Sequence, residues 1–142
     1  MTMKKTLVSS ITFMTLMLSQ LAFAQAEDEL KVEVLAKTTK SWNGDTLPAY
    51  KPGQPQVTIL RIVIPAGMQL PLHKHPVINA GVLLKGELTV VTEGKDRFHM
   101  KAGDSIVELV NKWHYGKNEG TEAAEIIVFY AGNQEQAITL KK

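Results

Sequence analysis

Short segments in which apolar and polar residues alternate recur along this chain, and their period of two predicts β-strands. From residue 67 onward, glycine-containing turn signals separate these segments every eight to twelve residues, which is typical of an all-β sandwich or barrel. No stretch of ten or more residues has helical periodicity. Strands are predicted at residues 56–64, 79–84, 87–92, 97–101, 105–109, 113–117, 123–130 and 138–140.

The pattern upstream of these strands is less regular. Residues 30–36 alternate apolar with charged side chains and predict a half-buried strand, which residues 37–42 could continue. Residues 43–45 signal a turn. Proline and glycine then recur over residues 48–55 and mark a loop that cannot be an interior strand. This loop is either a lid near the mouth of a barrel or a surface connection.

The beginning of the chain has the three parts of a secretory signal peptide. Lys4 and Lys5 form the positive region, residues 7–18 form the apolar region, and an A-x-A cleavage site ends at Ala24. Cleavage is predicted there, with Ala26 as the second choice. The alternative is a membrane anchor, but a span needs about 20 apolar residues and this run is shorter. We therefore expect a periplasmic or secreted protein.

Loss of the signal peptide changes the charge balance. The full chain has 16 basic and 14 acidic side chains, and two lysines leave with the signal. A formally neutral domain without a basic run argues against nucleic acid, or a membrane after cleavage, as partner. The chain has no cysteine, so we expect neither a lipid anchor nor a disulfide, and any metal ligands must be nitrogen or oxygen. The expected layout is a signal peptide at 1–24, an N-terminal strand and Pro/Gly-rich loop at 25–55, and one barrel at 56–142.

Three of the four histidines are candidate metal ligands. His73 and His75 are one residue apart in a strand-like run, so their side chains leave the same face about 7 Å apart. His114 is the best candidate for a third ligand, and neutral imidazoles suit zinc, copper, nickel and iron. His99 lies on the polar face of its strand and is expected to face solvent. The alternative is a metal-free barrel whose histidines only fill the interior.

The spacing around these histidines resembles the first motif of the cupin superfamily. In that motif a glycine is followed after five residues by H-x-H, then by a glutamate, and then by a second glycine. Gly67, His73, His75 and Gly86 fall in register, and Asn79 occupies the glutamate position. The resemblance therefore covers the histidine pair but departs from the family at the acidic ligand.

The second motif of the same superfamily is matched further along the chain. Gly103, His114 and Asn118 stand at its glycine, histidine and asparagine, whereas Leu109 and Asn111 replace its proline and inner glycine. The resemblance extends over residues 56–131. It implies an all-β fold with a single cupin β-barrel, a double-stranded β-helix of the jelly-roll type, and a divalent transition metal.

Asn79 affects which metal the resemblance implies. A carboxylate at this position would favour a hard ion such as manganese, whereas an amide is a weak ligand or hydrogen-bonds nearby without touching the metal. Iron, zinc, copper or nickel is therefore favoured over manganese. With three neutral ligands the ion keeps its full charge, which favours hydroxide or an anionic group as a further ligand.

Two glycines next to the candidate ligands predict open space in the barrel. Gly81 follows Asn79 by two residues and Gly116 follows His114 by two, so each shares a strand face with its neighbour. Leu83 is expected to supply apolar wall to this pocket, as small-ligand sites usually require. The alternative is that these glycines mark bulges or tight bends.

The residues leave the catalytic groups unidentified and two classes of function open. In the first class, this is an exported metal-dependent enzyme acting on a small molecule. It would be an oxygenase analogous to the three-histidine dioxygenases within the resembling superfamily, or, less favoured, an isomerase or lyase. In the second class, it is a module that binds metal or a small ligand without turnover. Glu108 is the nearest acidic candidate for a base, unless it is simply exposed.

For three large side chains outside the histidine group, a structural or surface role is favoured over a functional one. Arg61 could clamp a carboxylate, but a surface position is favoured. Trp113 and Tyr115 flank His114 and must point away from it on a regular strand, so they are expected to pack or to contribute to a homodimer surface.

Overall fold

Strands and turns account for the regular structure of residues 29–142, the part of the chain described by a computed structural model. The signal peptide predicted at 1–24 lies outside the described residues. Glu33–Lys142 form one unit. Within the described range no helix is present, and so none is long and apolar enough to cross a membrane. The all-β prediction is confirmed.

Over residues 29–142, nine strands form two antiparallel sheets. In chain order they are β1 Pro55–Ile64, β2 His73–Lys74, β3 Ile78–Lys85, β4 Glu87–Thr92, β5 Arg97–Lys101, β6 Ser105–Val107, β7 His114–Lys117, β8 Ala124–Asn133 and β9 Leu140–Lys141. The first sheet has the order β1-β8-β3-β6 and the second the order β5-β4-β7-β2-β9. Consecutive strands thus alternate between the sheets at several points, as expected for a double-stranded β-helix.

The core lies between the inner faces of the two sheets. On β8 the buried positions recur with a period of two, and Ile126 and Val128 pack with Ile64 of β1 from the same sheet. Leu88 and Val90 of β4 enter the same cluster from the second sheet. Each such side chain contributes about 1.5–3 kcal/mol when fully buried. The cluster packs the two sheets against each other and lies next to the histidines.

The strand predicted at residues 30–36 is wrong. Residues 29–39 form no strand, and the side chains there are exposed. Alternation is not sufficient for a strand, because backbone groups also need a neighbouring edge to pair with. Leu35 is instead held by a side chain, since Ser105 Oγ donates a hydrogen bond to its backbone oxygen at 2.7 Å. The predicted turn at 43–45 is present, closed by a bridge between Lys40 and Thr46.

Strand β1 occupies an edge of its sheet, although an apolar run rich in β-branched residues is also consistent with a central strand. Pro55 begins it, which an edge strand tolerates because no ladder donor is lost on the inner side. Val57, Ile59 and Val63 point outward and are exposed, whereas Ile64 is buried. The run is apolar on both faces, so its position in the sheet was not readable from hydrophobicity alone.

The glycines of the two sequence motifs occupy left-handed backbone. Gly67, Gly86 and Gly103 have φ values of 74°, 72° and 97°, which side chains disfavour. Asn111, which stands at the inner glycine of the second motif, also has a positive φ of 59°. Asparagine is one of the few other residues that adopt this conformation readily. The substitution therefore preserves the turn before His114.

Asn118, the last residue of the second motif, ties the two sheets together. It is fully buried, and its Nδ2 donates to the backbone oxygens of Ile64 and Glu122 at 2.9 and 2.8 Å. Its Oδ1 accepts from the backbone N–H of Gly120 at 2.9 Å. With its amide groups satisfied, Asn118 has a structural role and does not reach the histidines.

Candidate metal centre

The three candidate histidines converge on the inner face of the second sheet. His73 of β2 lies directly opposite His114 of β7 in the ladder, and His75 follows β2 at a bridge to Val110. Their ring centroids are 4.6, 5.0 and 5.1 Å apart. Residues separated by about 40 positions in the chain are thus brought to one point, as the H-x-H pair and the later histidine predicted.

Backbone carbonyls fix the tautomer of each imidazole. For His73, His75 and His114 the partners of Nδ1 are the backbone oxygens of Pro71, Ile138 and Lys112, at 2.7, 2.8 and 2.9 Å. A carbonyl oxygen only accepts, so each Nδ1 carries the proton and donates it. The Nε2 lone pairs are left free, which is the arrangement that metal-binding histidines use.

Burial keeps these imidazoles neutral at physiological pH. Desolvation lowers the pKa of His73 and His114 below the usual value, and it lowers the pKa of His75 to about 4. Nε2 of His114 is buried and has no hydrogen-bond partner among the described residues. A buried lone pair without a partner is costly, and a bound cation would satisfy it.

The separation of the ligand atoms fits a single ion. The three nitrogens lie within 4.8 Å of one another. Nitrogen ligands about 2.1 Å from one ion are at most about 4.2 Å apart, so small rotations of the rings close the remaining difference. The three histidines could therefore bind a divalent metal ion.

A cavity of about 50 Å³ lies beside the histidines. Its walls come from both sheets. The lining residues are Ile62, Ile64, Leu70, His73, His75, Asn79, Leu88, Val90, Glu108, His114, Gly116, Ile126, Val128 and Tyr130. The cavity is apolar except where the histidines, one amide, one carboxyl and one hydroxyl meet.

Glu108 is a site residue whose placement the sequence left open. Its side chain is only 12% exposed, and Oε2 lies 3.6 Å from Nε2 of His114. Burial raises the pKa of Glu108 to about 7. The alternating pattern does indicate that Glu108 points inward, because Ile106 is buried and Glu108 follows it by two residues on the same side. A carboxylate in an apolar run is more often exposed, and so the sequence alone did not decide the placement of Glu108.

Asn79 and Tyr130 complete the polar part of the cavity. Asn79 is 1% exposed, and neither atom of its amide has a partner among the described residues. The ring of Tyr130 lies 5.3 Å from that of His75, and burial chiefly raises the pKa of its hydroxyl to about 12. Tyr130 therefore stays protonated and can donate a hydrogen bond. Its strand was predicted, but its role was not.

The predicted pocket residues divide between the cavity and the core. Gly116 lines the cavity, whereas Gly81 and Leu83 do not, which corrects the prediction. A Cβ at Gly81 would lie 2.9 Å from the backbone oxygen of Ile127, so this glycine permits close packing with β8. Leu83 is fully buried in the hydrophobic core. Apolar wall comes instead from Leu70, Leu88 and Val90.

The remaining candidates lie on the surface. His99 is exposed, and its Nε2 lies 3.8 Å from Oε2 of Glu87. Arg61 is 67% exposed and pairs with Glu125 at 2.7 Å. Both expectations are confirmed. The loop over residues 48–54 contributes no residue to the cavity, which favours the surface connection over the lid.

Trp113 packs beneath lysine side chains rather than against the histidines. The Nζ of Lys74 lies 4.8 Å from the ring centroid, and the Nζ of Lys142 lies 5.6 Å from it. A cation over an indole face is mildly stabilising at an exposed site. Trp113 and Tyr115 are both partly buried.

These features define a class: an antiparallel double-stranded β-helix with a histidine group in its lumen. The sequence matches the cupin domain family (Cupin_2) over residues 60–130. The chain belongs to this family. A search of curated proteins found no match.

Solved structures share the fold at low sequence identity. The DMSP lyase DddQ from Ruegeria pomeroyi is 22% identical over 61% of this chain, with a TM-score of 0.53, and the match spans 43% of the lyase. An uncharacterized protein with a double-stranded β-helix domain from Klebsiella pneumoniae is 20% identical over 65% of this chain and 91% of its own, with a TM-score of 0.52. A cupin-like protein from Thermotoga maritima is 15% identical over 61% and 64%, with a TM-score of 0.52. These likenesses establish the fold.

Proposed function

We propose that this chain is an exported, metal-dependent enzyme acting on a small organic molecule that carries an anionic group. The observation that carries the proposal is the convergence of three neutral imidazoles, with their Nε2 lone pairs free, on one cavity. A divalent transition metal held there would supply Lewis acidity and, in the case of iron, oxygen chemistry. Imidazole ligands suit iron, zinc, copper and nickel.

The size of the cavity supports a small reacting group. About 10–15 Å³ of such cavity volume holds one water molecule, so about 50 Å³ has room for a few exchangeable ligands of an ion and little more. Oxygen or the carboxylate end of a substrate fits this space. The apolar side chains of Leu70, Leu88 and Val128 line this space, and an apolar lining strengthens electrostatic interactions at the centre.

Polar groups in the cavity support an anionic ligand. The Tyr130 hydroxyl remains protonated at neutral pH and is a donor. The Asn79 Nδ2 is a second donor, without a partner among the described residues. Donors that line a cavity favour negative charge there, and a cation beside them would reinforce this preference.

Dioxygenation is the first reaction class that we propose, because three neutral ligands leave coordination positions open for both a substrate and oxygen. Isomerase or lyase chemistry comes second. The second functional candidate is a module that binds metal without turnover. The small cavity favours this second candidate, since ligand pockets usually measure about 300–1,000 Å³.

Oxygen uptake separates these candidates. The protein would be loaded with Fe²⁺ without oxygen and then mixed with oxygen and a panel of small carboxylates. Substrate-dependent uptake in the wild type and in His99→Ala, but not in His114→Ala, supports the dioxygenase. Product formation without uptake, followed by NMR, indicates a lyase or isomerase. Metal binding without any turnover favours the binding module.

We also propose that the chain is a homodimer. Edge strand β1 presents Val57, Ile59 and Val63 to solvent, and Phe129 extends this apolar surface onto β8. Exposed apolar edges of this kind tend to be covered in folded proteins. Light scattering should give twice the chain mass for the wild type, and the single-chain mass for Ile59→Lys.

A further inference from the structure

Glu108 faces Asn79 across the ladder between two neighbouring strands. Ala80 of β3 pairs with Val107 of β6, and one step further the backbone N–H of Glu108 donates to the backbone oxygen of Asn79 at 3.0 Å. Both side chains line the histidine cavity. A carboxylate at 108 therefore occupies the same region of the lumen as a side chain at 79, but starts from the adjacent strand.

The Glu108 carboxylate has no cationic partner in the described part of the chain. Its one hydrogen bond comes from the backbone N–H of the next residue, Leu109, at 3.3 Å. The Nε2 atom of His114 lies 3.6 Å from the Glu108 carboxylate, which is beyond hydrogen-bond distance. A buried carboxylate without a compensating charge costs several kcal/mol. The more exposed Glu119, by contrast, pairs with Arg97 at 2.8 Å.

We infer that Glu108 is a fourth ligand, through its carboxylate, of the metal held by His73, His75 and His114. This inference rests on the proposed metal-dependent function. The oxygen at 3.6 Å from the His114 nitrogen is at a separation that two adjacent ligands of one ion adopt, since each would lie about 2.0–2.2 Å from it. Asn79 then lies beside the carboxylate as a hydrogen-bonding neighbour rather than as a ligand.

The inference changes the expected metal preference. Three neutral imidazoles alone favour borderline ions, whereas an added carboxylate favours harder ones such as Mn²⁺ and Fe²⁺. The net charge of a divalent site falls from +2 to +1, which still attracts an anion. Manganese, disfavoured on the basis of Asn79 alone, becomes a candidate again.

Calorimetric titration of the metal-free mature protein, without the predicted signal peptide, with Mn²⁺ and with Zn²⁺ tests this role. Glu108→Gln should lower Mn²⁺ affinity about 100-fold and Zn²⁺ affinity by a smaller factor. The matched control is Glu87→Gln, which removes the other glutamate that lies near a histidine, 3.8 Å from His99. The control should bind both ions as the wild type does. The double variant Asn79→Glu/Glu108→Gln moves the carboxylate across the ladder and should recover at least tenfold in Mn²⁺ affinity.

The outcomes separate this inference from the proposed function. If the wild type binds neither ion, the metal-dependent function fails. If the wild type binds and His114→Ala does not, but Glu108→Gln keeps full Mn²⁺ affinity, the inference alone is overturned, including when that variant loses turnover. Should Glu108→Gln fail to fold, Glu108→Asp draws the carboxylate back by one methylene. Reduced Mn²⁺ affinity in that variant supports ligation, and unchanged affinity overturns it.

Discussion

Each candidate ligand is positioned before any ion arrives. The backbone oxygens of Pro71, Ile138 and Lys112 hold the three Nδ1 atoms, so binding need not select a tautomer or order a ring. Thr139 Oγ1, 3.2 Å from Nδ1 of His75, adds a second contact. Preorganisation of this kind reduces the entropy lost on binding. It also explains why the chain end near β9 matters to a site formed mainly by β2 and β7.

Single alanine substitutions of the three histidines should lower metal affinity sharply. Removing one of three nitrogen ligands is expected to reduce the affinity for Zn²⁺ by more than about 100-fold. The fold should persist, because the apolar core does not depend on these rings. His99→Ala is the control and should leave affinity unchanged. Equal affinity in all four variants, measured by competition with a chelating dye, would contradict the site.

The stability of the metal-free protein should depend on the charge of Glu108. The folded pKa of about 7 exceeds the ordinary value of 4.5, so the stability linked to this group is complete below pH 4.5 and lost as the pH rises to 7. Glu108→Gln in the presence of a chelator should therefore be more stable than wild type at pH 8, by up to about 3 kcal/mol.

At pH 4.5 the same two proteins should differ little, because the carboxyl is protonated in the folded wild type. Urea unfolding at both pH values measures the difference. A glutamine variant that is less stable than wild type at pH 8 would show that the buried carboxylate has a favourable partner other than a metal.

At the scale of strands, alternation and turns predicted most of the fold. The bounds of β4 and β5 were predicted to the residue, since each is flanked by a clear turn. The strand predicted at residues 30–36 was wrong, because an alternating sequence carries no information about whether a sheet edge is free to pair with it. The apolar run of β1 likewise could not distinguish an edge strand from a central one.

The candidate site was predictable in part for similar reasons. The H-x-H spacing placed His73 and His75 on one face, and the second motif supplied His114. Glu108 was left open between a candidate base and an exposed residue, and Tyr130 was not assigned, because both roles depend on which face of a strand meets the lumen. Gly81 was placed in the pocket by alternation, but Ile126 and Val128 fill the space beside it. The period of the sequence predicts which face of a strand a side chain occupies, whereas the packing of neighbouring side chains determines how much space is left beside it.

Substitution of Gly86, which lies between β3 and β4, should lower the stability of the fold. It has a φ of 72°, and an added Cβ would lie 2.7 Å from the backbone oxygen of Ala123. Gly86→Ala should therefore lower the free energy of unfolding by about 2–4 kcal/mol, from backbone strain plus a steric clash. Gly44→Ala is the control, because Gly44 also has a positive φ but has open space around it. A loss of about 1 kcal/mol is expected there. Equal losses in urea unfolding would refute the steric term.

At the scale of the whole molecule, export and assembly stay predictions. The apolar segment at residues 7–18 and the A-x-A site predict removal of the first 24 or 26 residues. Mass spectrometry of the exported protein should therefore show an N-terminus at Gln25 or Glu27, without lipid. An intact Met1 in the mature pool would contradict export by this route.

The central claim is that the lumen of this cupin binds a transition metal through His73, His75 and His114. Elemental analysis of protein purified from its own compartment, without added metal, tests it most directly. The account predicts about one transition-metal ion per chain in the wild type and almost none in His114→Ala. A folded wild-type protein that is metal-free as isolated, and that takes up none on dialysis, would contradict it.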